Sequence, residues 1–508
     1  MMMSAGDSVH TTIVARATPR GTSALSIVRL SGPLAVSIVD VVFPSRELAE
    51  QASHTAHVGY IGRPGAWIDH VVCTLFRAPN SATGEDIVEI SCHGGDVASD
   101  AIVRLMVDGG ARMAGPGEFT LRSFMNGKID LAQAEAIGEL IHAQSQRAGR
   151  ISLAHLKGRY SEELTRIRED LLQLVSLLEL EMDFSEEDVA FADRSRLEDL
   201  LRAASDRLTV LTGSFRFGKA LHEGVRVVIV GRPNAGKSTL MNALLGHDRV
   251  IVSDVPGTTR DEVESALEYQ GVRFTFVDTA GRRETDDTIE AEGVRRSQAA
   301  ERGADLVLHV VDLTDMGADV EALAKVNVLS QVQAVPRLVV GNKADLAVAD
   351  SAGTPDSTNG GLAATVADKA VDTRAGATPG SAFVAAPGSA SGATPGSAPA
   401  IDFRISAEMM RVGDAPVEPL MDRIFAATVG SDAVCEEHQV VTSQRQQEHI
   451  RAAQQAIERV SVVLTSGGSG DMISADVRQV IEEIGAITGE VTNEDILDRI
   501  FSQFCIGK

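Results

Sequence analysis

The alternation of hydrophobic and polar positions divides the chain into four stretches. Residues 9 to about 130 combine short β-rich runs with glycine turns and one helical stretch near Val97–Val107, which predicts a small α+β domain. Residues 131 to about 221 place apolar side chains at steps of three and four, which is typical of amphipathic helices. Residues 222 to about 432 alternate apolar runs with helical segments, and residues 433 to 508 are helical again.

Short apolar runs mark the strands that we expect. Those of the first stretch are Thr12–Val14, Ala24–Arg29, His70–Phe76 and Asp86–Ile90, and those of the third are Val225–Val230, Phe274–Val277, Leu306–Val311 and Leu338–Val340. The runs of the third stretch are nearly continuous, as in parallel strands covered on both faces. Each helical stretch would leave an apolar face in water if it stood alone. We therefore expect the two to pack together, with the α/β domain inserted between them.

Residues 347 to about 400 differ from the rest of the third stretch. The hexapeptide Ala-Thr-Pro-Gly-Ser-Ala occurs at 377–382 and again at 393–398. Small residues, proline and glycine bury too little surface to offset chain entropy, so the composition predicts a disordered insertion. A linker that tethers a specific partner is the alternative.

The overall charge is acidic, because 71 acidic residues outnumber 47 basic ones and give a net charge of −24 over 508 residues. This balance argues against a protein that coats nucleic acid through a general positive field, although it allows a local basic patch. The four cysteines are scattered without a Cys-x-x-Cys pair, which fits neither a disulfide framework nor a zinc site. Without a membrane-length apolar run or a signal peptide, we expect a cytoplasmic protein with no membrane span.

A glycine-rich loop with the pattern Gly-x-x-x-x-Gly-Lys-Ser spans Gly231–Ser238. It follows the strand predicted over Val225–Val230 and precedes a helical run over Thr239–Leu245, which is the context that a phosphate-binding loop requires. The backbone N–H groups of such a loop and the positive end of the helix face the phosphates. Lys237 would neutralise the β- and γ-phosphate oxygens, and the Ser238 hydroxyl would bind Mg²⁺.

Three further motifs predict a guanine nucleotide site. In Asp278–Gly281 the carboxylate can hold Mg²⁺ through water and the last amide can meet the γ-phosphate. In Asn342–Asp345 the final aspartate can accept two hydrogen bonds from guanine that adenine cannot offer, so Asp345 selects GTP over ATP. Ser406–Ala407 completes the guanine pocket on the far side of the insertion.

The catalytic groups outside these motifs are less clearly marked. Thr259 is our choice for a second Mg²⁺ hydroxyl, although Gly257–Thr259 also fits an ordinary turn. Arg282 stands where many small GTPases carry the glutamine that orients water, so hydrolysis must be organised differently. Asn234 can help ligate a monovalent cation beside the β/γ bridge. Spacing alone does not choose the water-positioning residue among five acids: Glu284, Asp286, Asp287, Glu290 and Glu292.

The order of the motifs, the flanking helices and both ends of the chain resemble the MnmE (TrmE) family of tRNA-modification GTPases. The resemblance covers nearly the whole chain except the insertion. The motifs that carry it are Ala17–Gly21, Ile27–Gly32, Pro79–Asp86, His93–Gly95, Pro116–Phe119, Asn126–Lys128, Leu131–Ala136 and the terminal Phe504–Lys508.

The resemblance implies a multidomain fold with mixed α/β and α parts. It implies an α+β domain over residues 1–130 that binds tetrahydrofolate and dimerises, and a discontinuous helical domain over 131–221 and 433–508. A Ras-like P-loop G domain over 222–432, which carries the insertion 347–400, lies between the two helical parts.

The resemblance also implies a reaction. It implies a potassium-dependent GTPase that binds 5-formyltetrahydrofolate and forms a homodimer. With an FAD-containing partner, GidA or MnmG, in a heterotetramer, it would add a carboxymethylaminomethyl group to carbon 5 of the wobble uridine of certain tRNAs. A ribosome-assembly GTPase and a non-catalytic GTP switch are the alternatives.

The nucleotide site implied by the motifs and the resemblance has defined members. Lys237 and Glu290 are its catalytic residues, and Glu290 is the water-activating glutamate of the family. The Mg²⁺ ligands are Ser238 and Thr259, and the K⁺ ligands are Asn234, Ser253, Val255 and Thr258. The expected GTP contacts are Asn234, Ala235, Gly236, Lys237, Ser238, Thr239, Ser253, Asp254, Val255, Pro256, Gly257, Thr258, Thr259, Asp278, Thr279, Ala280, Gly281, Asn342, Lys343, Ala344, Asp345, Ser406 and Ala407.

The folate site implied by the resemblance comprises Arg29, Glu89, Lys128 and Lys508. A carboxylate suits the amino-pyrimidine edge of a pterin through paired hydrogen bonds, and cations suit the glutamate tail. Cys505 matches a cysteine proposed to take part in the chemistry. A packed apolar cysteine in a terminal helix explains it equally well.

Overall fold

The computed structural model describes residues 11–183, 194–246, 264–278, 303–315, 335–347, 401–430, 436–466 and 470–507. The chain forms two compact units, one from Met1–Glu223 and Asp432–Lys508 and the other from Gly224–Ser431. No helix in the described ranges is long and apolar enough to cross a membrane.

The amino-terminal part of the first unit is a six-stranded sheet with three helices. Its strands lie in the order β3-β4-β5-β2-β1-β6. The strands are β1 Ile13–Arg16, β2 Leu25–Ser31, β3 Thr55–Arg63, β4 Ala66–Phe76, β5 Ile87–His93 and β6 Arg112–Met113, and the helices are α1 Ala35–Val42, α2 Asp96–Asp108 and α3 Glu118–Met125. The predicted α+β character is confirmed, although β3, α1 and α3 were not predicted.

One face of this sheet is buried and the other is open. Val88, Ile90 and Cys92 alternate along β5 into an aliphatic core with residues of α1 and α2. The intervening positions point to the opposite face, where β3 and β4 expose Val58 and Val72, which are partners in the antiparallel register. The strict two-residue alternation follows from the pleat of the strands.

Four helices follow the sheet: α4 Leu131–His142, α5 Gln146–Leu156, α6 Arg159–Asp183 and α7 Arg194–Glu223. Asp130 begins α4 with a reciprocal capping box, because its side chain accepts from the Gln133 amide while the Gln133 side chain accepts from the Asp130 amide. Ser145 caps α5 in the simpler way, by accepting from the Ala148 amide.

The second unit is a six-stranded sheet in the order β12-β11-β10-β7-β9-β8. Its elements are β7 Val225–Val230, α8 Lys237–Leu245, β8 Glu264–Tyr269, β9 Val272–Asp278, β10 Leu306–Asp312, β11 Arg337–Asn342, α9 Ala344–Ala347, β12 Phe403–Arg404, α10 Ala407–Val412 and α11 Glu418–Thr428. All strand pairs are parallel except β8 with β9, as the apolar runs predicted. The unpredicted β8 joins β9 through Gln270 and Gly271, whose positive φ angles form a tight hairpin turn.

The chain then returns to the first unit through α12 Gln444–Thr465, α13 Gly470–Thr488 and α14 Glu494–Phe501. Leu164, Leu171 and Leu208 of the earlier helices share one hydrophobic core with Ile457 of α12 and Val477 of α13. The helices on either side of the second unit therefore form one packed body, as their unpartnered apolar faces predicted. Asn493 caps α14 by accepting a hydrogen bond from the Ile496 amide.

Candidate functional site

The phosphate loop joins β7 to α8 through a backbone that only certain residues tolerate. Gly231 and Gly236 have φ angles of 151° and 92°, and Asn234 has a φ of 65°. A Cβ at Gly236 would lie 2.1 Å from Asn342 Nδ2, so glycine is required there for space as well as for conformation. The loop ends at the first turn of α8, where free backbone N–H groups favour an anion.

Lys237 lies across this loop. Its ammonium donates hydrogen bonds to the carbonyl oxygens of Gly231 and Arg232, both at 2.8 Å. The residue is buried, and burial lowers the pKa of its ammonium while the charge of Asp278 opposes that shift. A cation is thus held at the rim of the loop where phosphate oxygens would bind.

Ser238 and Asp278 meet beside the loop. The Ser238 hydroxyl donates to Asp278 Oδ2 at 3.0 Å. Asp278 is the last residue of β9, and β9 pairs in parallel with β7, so both side chains lie at the carboxyl edge of the sheet. A hydroxyl and a carboxylate are hard oxygen donors, and this set fits Mg²⁺.

Asn342 connects three of the predicted motifs. Its Nδ2 donates to the carbonyl of Ala235 at 2.8 Å, and its Oδ1 accepts from the backbone N–H of Ala407 at 2.9 Å. The side chain is only 3% exposed. Asn342 therefore braces the phosphate loop against the Ser406–Ala407 segment and spends its amide on the protein backbone, a role that the sequence motif does not reveal.

The remaining guanine motif residues lie at the end of β11. Lys343 has a φ of 61°, and its ammonium lies 2.5 Å from Asp312 Oδ2. Burial raises the pKa of Asp312, but its hydrogen bonds from Lys343 and Thr314 outweigh burial and hold that pKa below its usual value. Asp312 faces Asn342 in the β10–β11 register, and sequence analysis missed it because nothing in its local sequence marks it.

Asp345 and the Ser406 segment complete this edge. Asp345 occupies the first turn of α9 with an exposed side chain, available to a ligand. The preceding Ala344 donates its N–H to the carbonyl of Ile405 at 3.0 Å, which places the two segments side by side. Ser406 caps α10 through the Met409 amide at 3.3 Å, and Thr239 is half-buried in α8.

Several predicted site residues lie outside the described residues. They are Glu290, the five acids' other members Glu284, Asp286, Asp287 and Glu292, the whole Ser253–Thr259 segment, Thr279, Ala280, Gly281, Arg282, Lys508 and the insertion from 348 to 400.

A second group of predicted residues lies on the amino-terminal sheet. Arg29 and Glu89 are register partners on β2 and β5, with Arg29 Nη2 2.7 Å from Glu89 Oε1. Both side chains are about one quarter exposed, at 26% and 24%. The Arg29 guanidinium lies 5.7 Å from the ring centroid of Phe119, which gives the pair an aromatic floor.

The carboxyl-terminal tail lies next to this pair. Ile506 forms a β-bridge with Pro116, and the Gly117 N–H points to the carbonyl of Cys505 at 3.5 Å. A Cβ at Gly507 would lie 2.4 Å from the carbonyl oxygen of Arg16 at the end of β1. Since β1 pairs with β2, the tail approaches the strand that carries Arg29. Cys505 is exposed, so the packed alternative for this cysteine is wrong.

Lys128 is placed differently from its predicted neighbours. Its ammonium donates to the carbonyl of Pro79 at 2.8 Å, and no hydrogen bond or ion pair joins it to Arg29 or Glu89 in the described part of the chain. A buried ion network that sequence analysis missed fixes the neighbouring loop. In it, Arg122, only 2% exposed, binds Glu85 at 3.0 Å and Glu118 at 3.1 Å.

Comparison with known families agrees with this arrangement. Residues 12–128 match the model of the GTP-binding protein TrmE N-terminus, and residues 131–505 match the MnmE helical domain. The tRNA modification GTPase MnmE of Salinibacter ruber is 49% identical over 502 residues, covering 98% of this chain and 99% of that one. The chain belongs to the MnmE family of tRNA modification GTPases.

Other MnmE relatives agree at similar coverage. The tRNA modification GTPase MnmE of Chlorobium phaeobacteroides is 40% identical over 502 residues, with 98% of this chain and 97% of that one covered. Membership of the MnmE family makes the chain a GTP hydrolase of tRNA modification, and it favours this function over the ribosome-assembly and non-catalytic alternatives.

Proposed function

We propose that this chain is the potassium-dependent GTPase of wobble-uridine modification. With an FAD-containing partner, GidA or MnmG, it would add a carboxymethylaminomethyl group to carbon 5 of the uridine in certain tRNAs. The observation that carries the proposal is the full-length similarity to MnmE relatives, combined with a phosphate loop braced by Asn342 and flanked by Ser238 and Asp278. We place this activity in the cytoplasm.

In this proposal, each residue of the nucleotide site has one task. Lys237 turns from the loop carbonyls to the β- and γ-phosphates, and Asp345 binds the guanine edge. Ser238 and Thr259 hold Mg²⁺, while Asn234, Ser253, Val255 and Thr258 hold K⁺. When bound, the two cations offset the charge that develops on the phosphate oxygens. Glu290 positions the attacking water.

Asn234 supports the cation part of the proposal. It is exposed at the tip of the loop, and its left-handed backbone is one that asparagine adopts more readily than most residues. An amide oxygen in that place is a suitable neutral ligand for a monovalent cation. The GTP contacts proposed for Ala235, Gly236 and Thr239 come from the same loop and from the first turn of α8.

The amino-terminal sheet is proposed to bind 5-formyltetrahydrofolate. In the described residues only Oε1 of Glu89 is engaged, by Arg29, so Oε2 is available to the amino-pyrimidine edge of the pterin. Lys128 and Lys508 would bind the glutamate tail, and the exposed Cys505 lies on the tail segment beside this site. A role for its thiol in the chemistry is part of the proposal.

The open face of this sheet supports the proposed homodimer. Leu25, Val58, Tyr60, Trp67 and Val72 expose between 36% and 62% of their surface on β2, β3 and β4. A cluster of large apolar side chains of this kind is characteristic of a protein interface. The heterotetramer with the flavoprotein would form around this dimer.

Deletion of the gene followed by mass analysis of tRNA nucleosides tests the proposed function. We expect the carboxymethylaminomethyl group to disappear from wobble uridines and to return when the wild-type gene is restored. A gene carrying Glu290→Ala should not restore it. Unchanged wobble uridines in the deletion strain would refute the proposal.

A further inference from the structure

Two packed helices of the first unit contain long segments without acidic residues. No Asp or Glu occurs at positions 140–161, which carry Arg147, Arg150, Lys157 and Arg159, or at positions 207–222 of α7. In a chain where 71 of 508 residues are acidic, both segments depart from the average in the same direction. The net charge of −24 therefore conceals a local region of positive charge.

The cations of the first segment lie on the surface of α5 and just beyond it. Gln146, Arg150, Leu153 and Lys157 are exposed at helical spacing, so they form one stripe along α5 and its carboxyl end. Arg159 is also exposed and follows the turn at Gly158, whose φ is 83°. The stripe itself contains no acidic side chain.

Arg147 stands beside this stripe in a fixed position. Its guanidinium lies 4.4 Å from the ring centroid of Phe217 on α7, a distance typical of a cation–π contact. Phe217 lies within the acid-free segment of α7, so this flank of α5 does not neutralise the charge. The stacked guanidinium keeps its hydrogen-bond donors at the edge of the ring.

The opposite flank carries one acid. Arg150 pairs with Glu437 at 3.2 Å, with side chains that are 64% and 50% exposed. Exposed ion pairs of this kind contribute about 0–1 kcal/mol, so a phosphate can replace the carboxylate at little cost. Lys157 and Arg159 form no ion pair with any described residue.

We propose that Arg147, Arg150, Lys157 and Arg159, here called the α5 basic patch, bind the phosphate backbone of the tRNA substrate. The inference rests on the proposed function, because that function supplies the tRNA. It assigns the binding to one helix of an otherwise acidic protein, which explains how a chain of this net charge engages a polyanion. Phosphate contacts of this kind position the RNA, and base selection belongs to other residues.

The test compares two triple variants of the full chain in which the same number of positive charges is removed. The patch variant carries Arg150→Gln, Lys157→Gln and Arg159→Gln. The control variant carries Arg202→Gln, Arg459→Gln and Arg478→Gln, which are exposed arginines of other helices that pair with Asp199, Asp476 and Glu179. Binding of fluorescein-labelled tRNA is measured by anisotropy over a range of KCl concentrations, with GTP turnover and thermal unfolding as checks on folding.

The expected result is specific to the patch. The patch variant should bind tRNA about tenfold or more weakly at low salt. The slope of its binding constant against salt concentration should fall by about one unit for each phosphate that the removed cations had neutralised. The control variant should bind like the wild type, and both should hydrolyse GTP normally.

Other outcomes overturn the inference. Equal weakening of both variants would show a general charge effect, and unchanged binding by the patch variant would exclude the patch while leaving the proposed function intact. Normal tRNA binding combined with a failure to associate with the flavoprotein would assign the patch to a protein partner. A wild-type chain that binds no tRNA would also overturn the inference, whereas the nucleoside analysis decides the proposed function separately.

Discussion

The nucleotide site and the Arg29–Glu89 site are built in different ways. The phosphate loop is one continuous segment between β7 and α8, and its backbone itself forms the cradle. The folate site proposed for the sheet brings together two residues that are 60 positions apart, an aromatic ring on α3 and the carboxyl-terminal tail. A site made of contiguous backbone leaves a pattern in the sequence, whereas a site made by strand register does not.

Removal of the loop cation should have the largest effect on function. Lys237→Ala removes the ammonium that bridges Gly231 and Arg232, and we expect GTP turnover to fall by about 10²–10³-fold because no buried cation then stabilises the phosphate charge. Steady-state phosphate release measures this, with Lys219→Ala on the exposed surface of α7 as the matched control. Equal turnover in both variants would contradict the assignment of Lys237.

A methyl group at the loop should be nearly as harmful. Gly236→Ala places a Cβ 2.1 Å from Asn342 Nδ2 in a left-handed backbone, so the Asn342 brace must break. We expect GTP affinity to fall by at least about tenfold, because a buried amide is left without its partner. Equilibrium titration with a fluorescent GTP analogue measures this affinity.

Gly213→Ala is the control for this substitution. Gly213 lies within α7, and a Cβ there meets no heavy atom within 4 Å. This variant should bind GTP normally and gain roughly 0.5–1 kcal/mol of helix stability. If Gly236→Ala also binds GTP like the wild type, the brace is not required for the loop.

A change at the sheet site should separate it from the nucleotide site. Glu89→Gln removes a charge-assisted partner of the pterin, and we expect 5-formyltetrahydrofolate binding to weaken by about 10–100-fold. Isothermal titration measures this affinity, and Glu50→Gln, outside the sheet, is the control. Intact folate binding in Glu89→Gln would remove Glu89 from the site.

A smaller effect is expected at a third, hidden group that also depends on distant residues. Burial raises the pKa of Glu139 to about 7, with a hydrogen bond from Thr442 opposing the shift. The native state therefore keeps a proton that the unfolded chain releases between pH 4.5 and 7, and this contribution to stability is lost as pH rises through that window. Glu139→Gln should raise the melting temperature by a few degrees at pH 8 and leave it unchanged near pH 4.5.

Two histidines act in the opposite direction in the same core. Burial lowers the pKa values of His155 and His222 to about 4, so both are neutral in the native state and their contribution to stability is lost as pH falls from 6.5 towards 4. The difference between Glu139→Gln and the wild type isolates the carboxyl, because the histidines are common to both. A difference in melting temperature that is independent of pH would contradict the raised pKa of Glu139.

The same contrast explains what sequence analysis could predict. Strand β7 has the predicted bounds Val225–Val230, since an apolar run before a glycine loop is a local signal. Strands β3 and β8 were missed, because their faces are half-exposed and their pattern resembles that of loops. The Asn342 brace and the Arg122–Glu85 pair were missed because each joins residues that only the tertiary fold brings together.

The most direct test of the account is GTP turnover by the full chain in KCl and in NaCl at equal ionic strength. The account predicts turnover at least about tenfold faster in K⁺ than in Na⁺, because a cation beside Asn234 offsets charge on the β/γ bridge. The Asn234→Ala variant should show no such difference while it still binds GTP. Equal turnover of the wild type in the two salts would contradict the central claim.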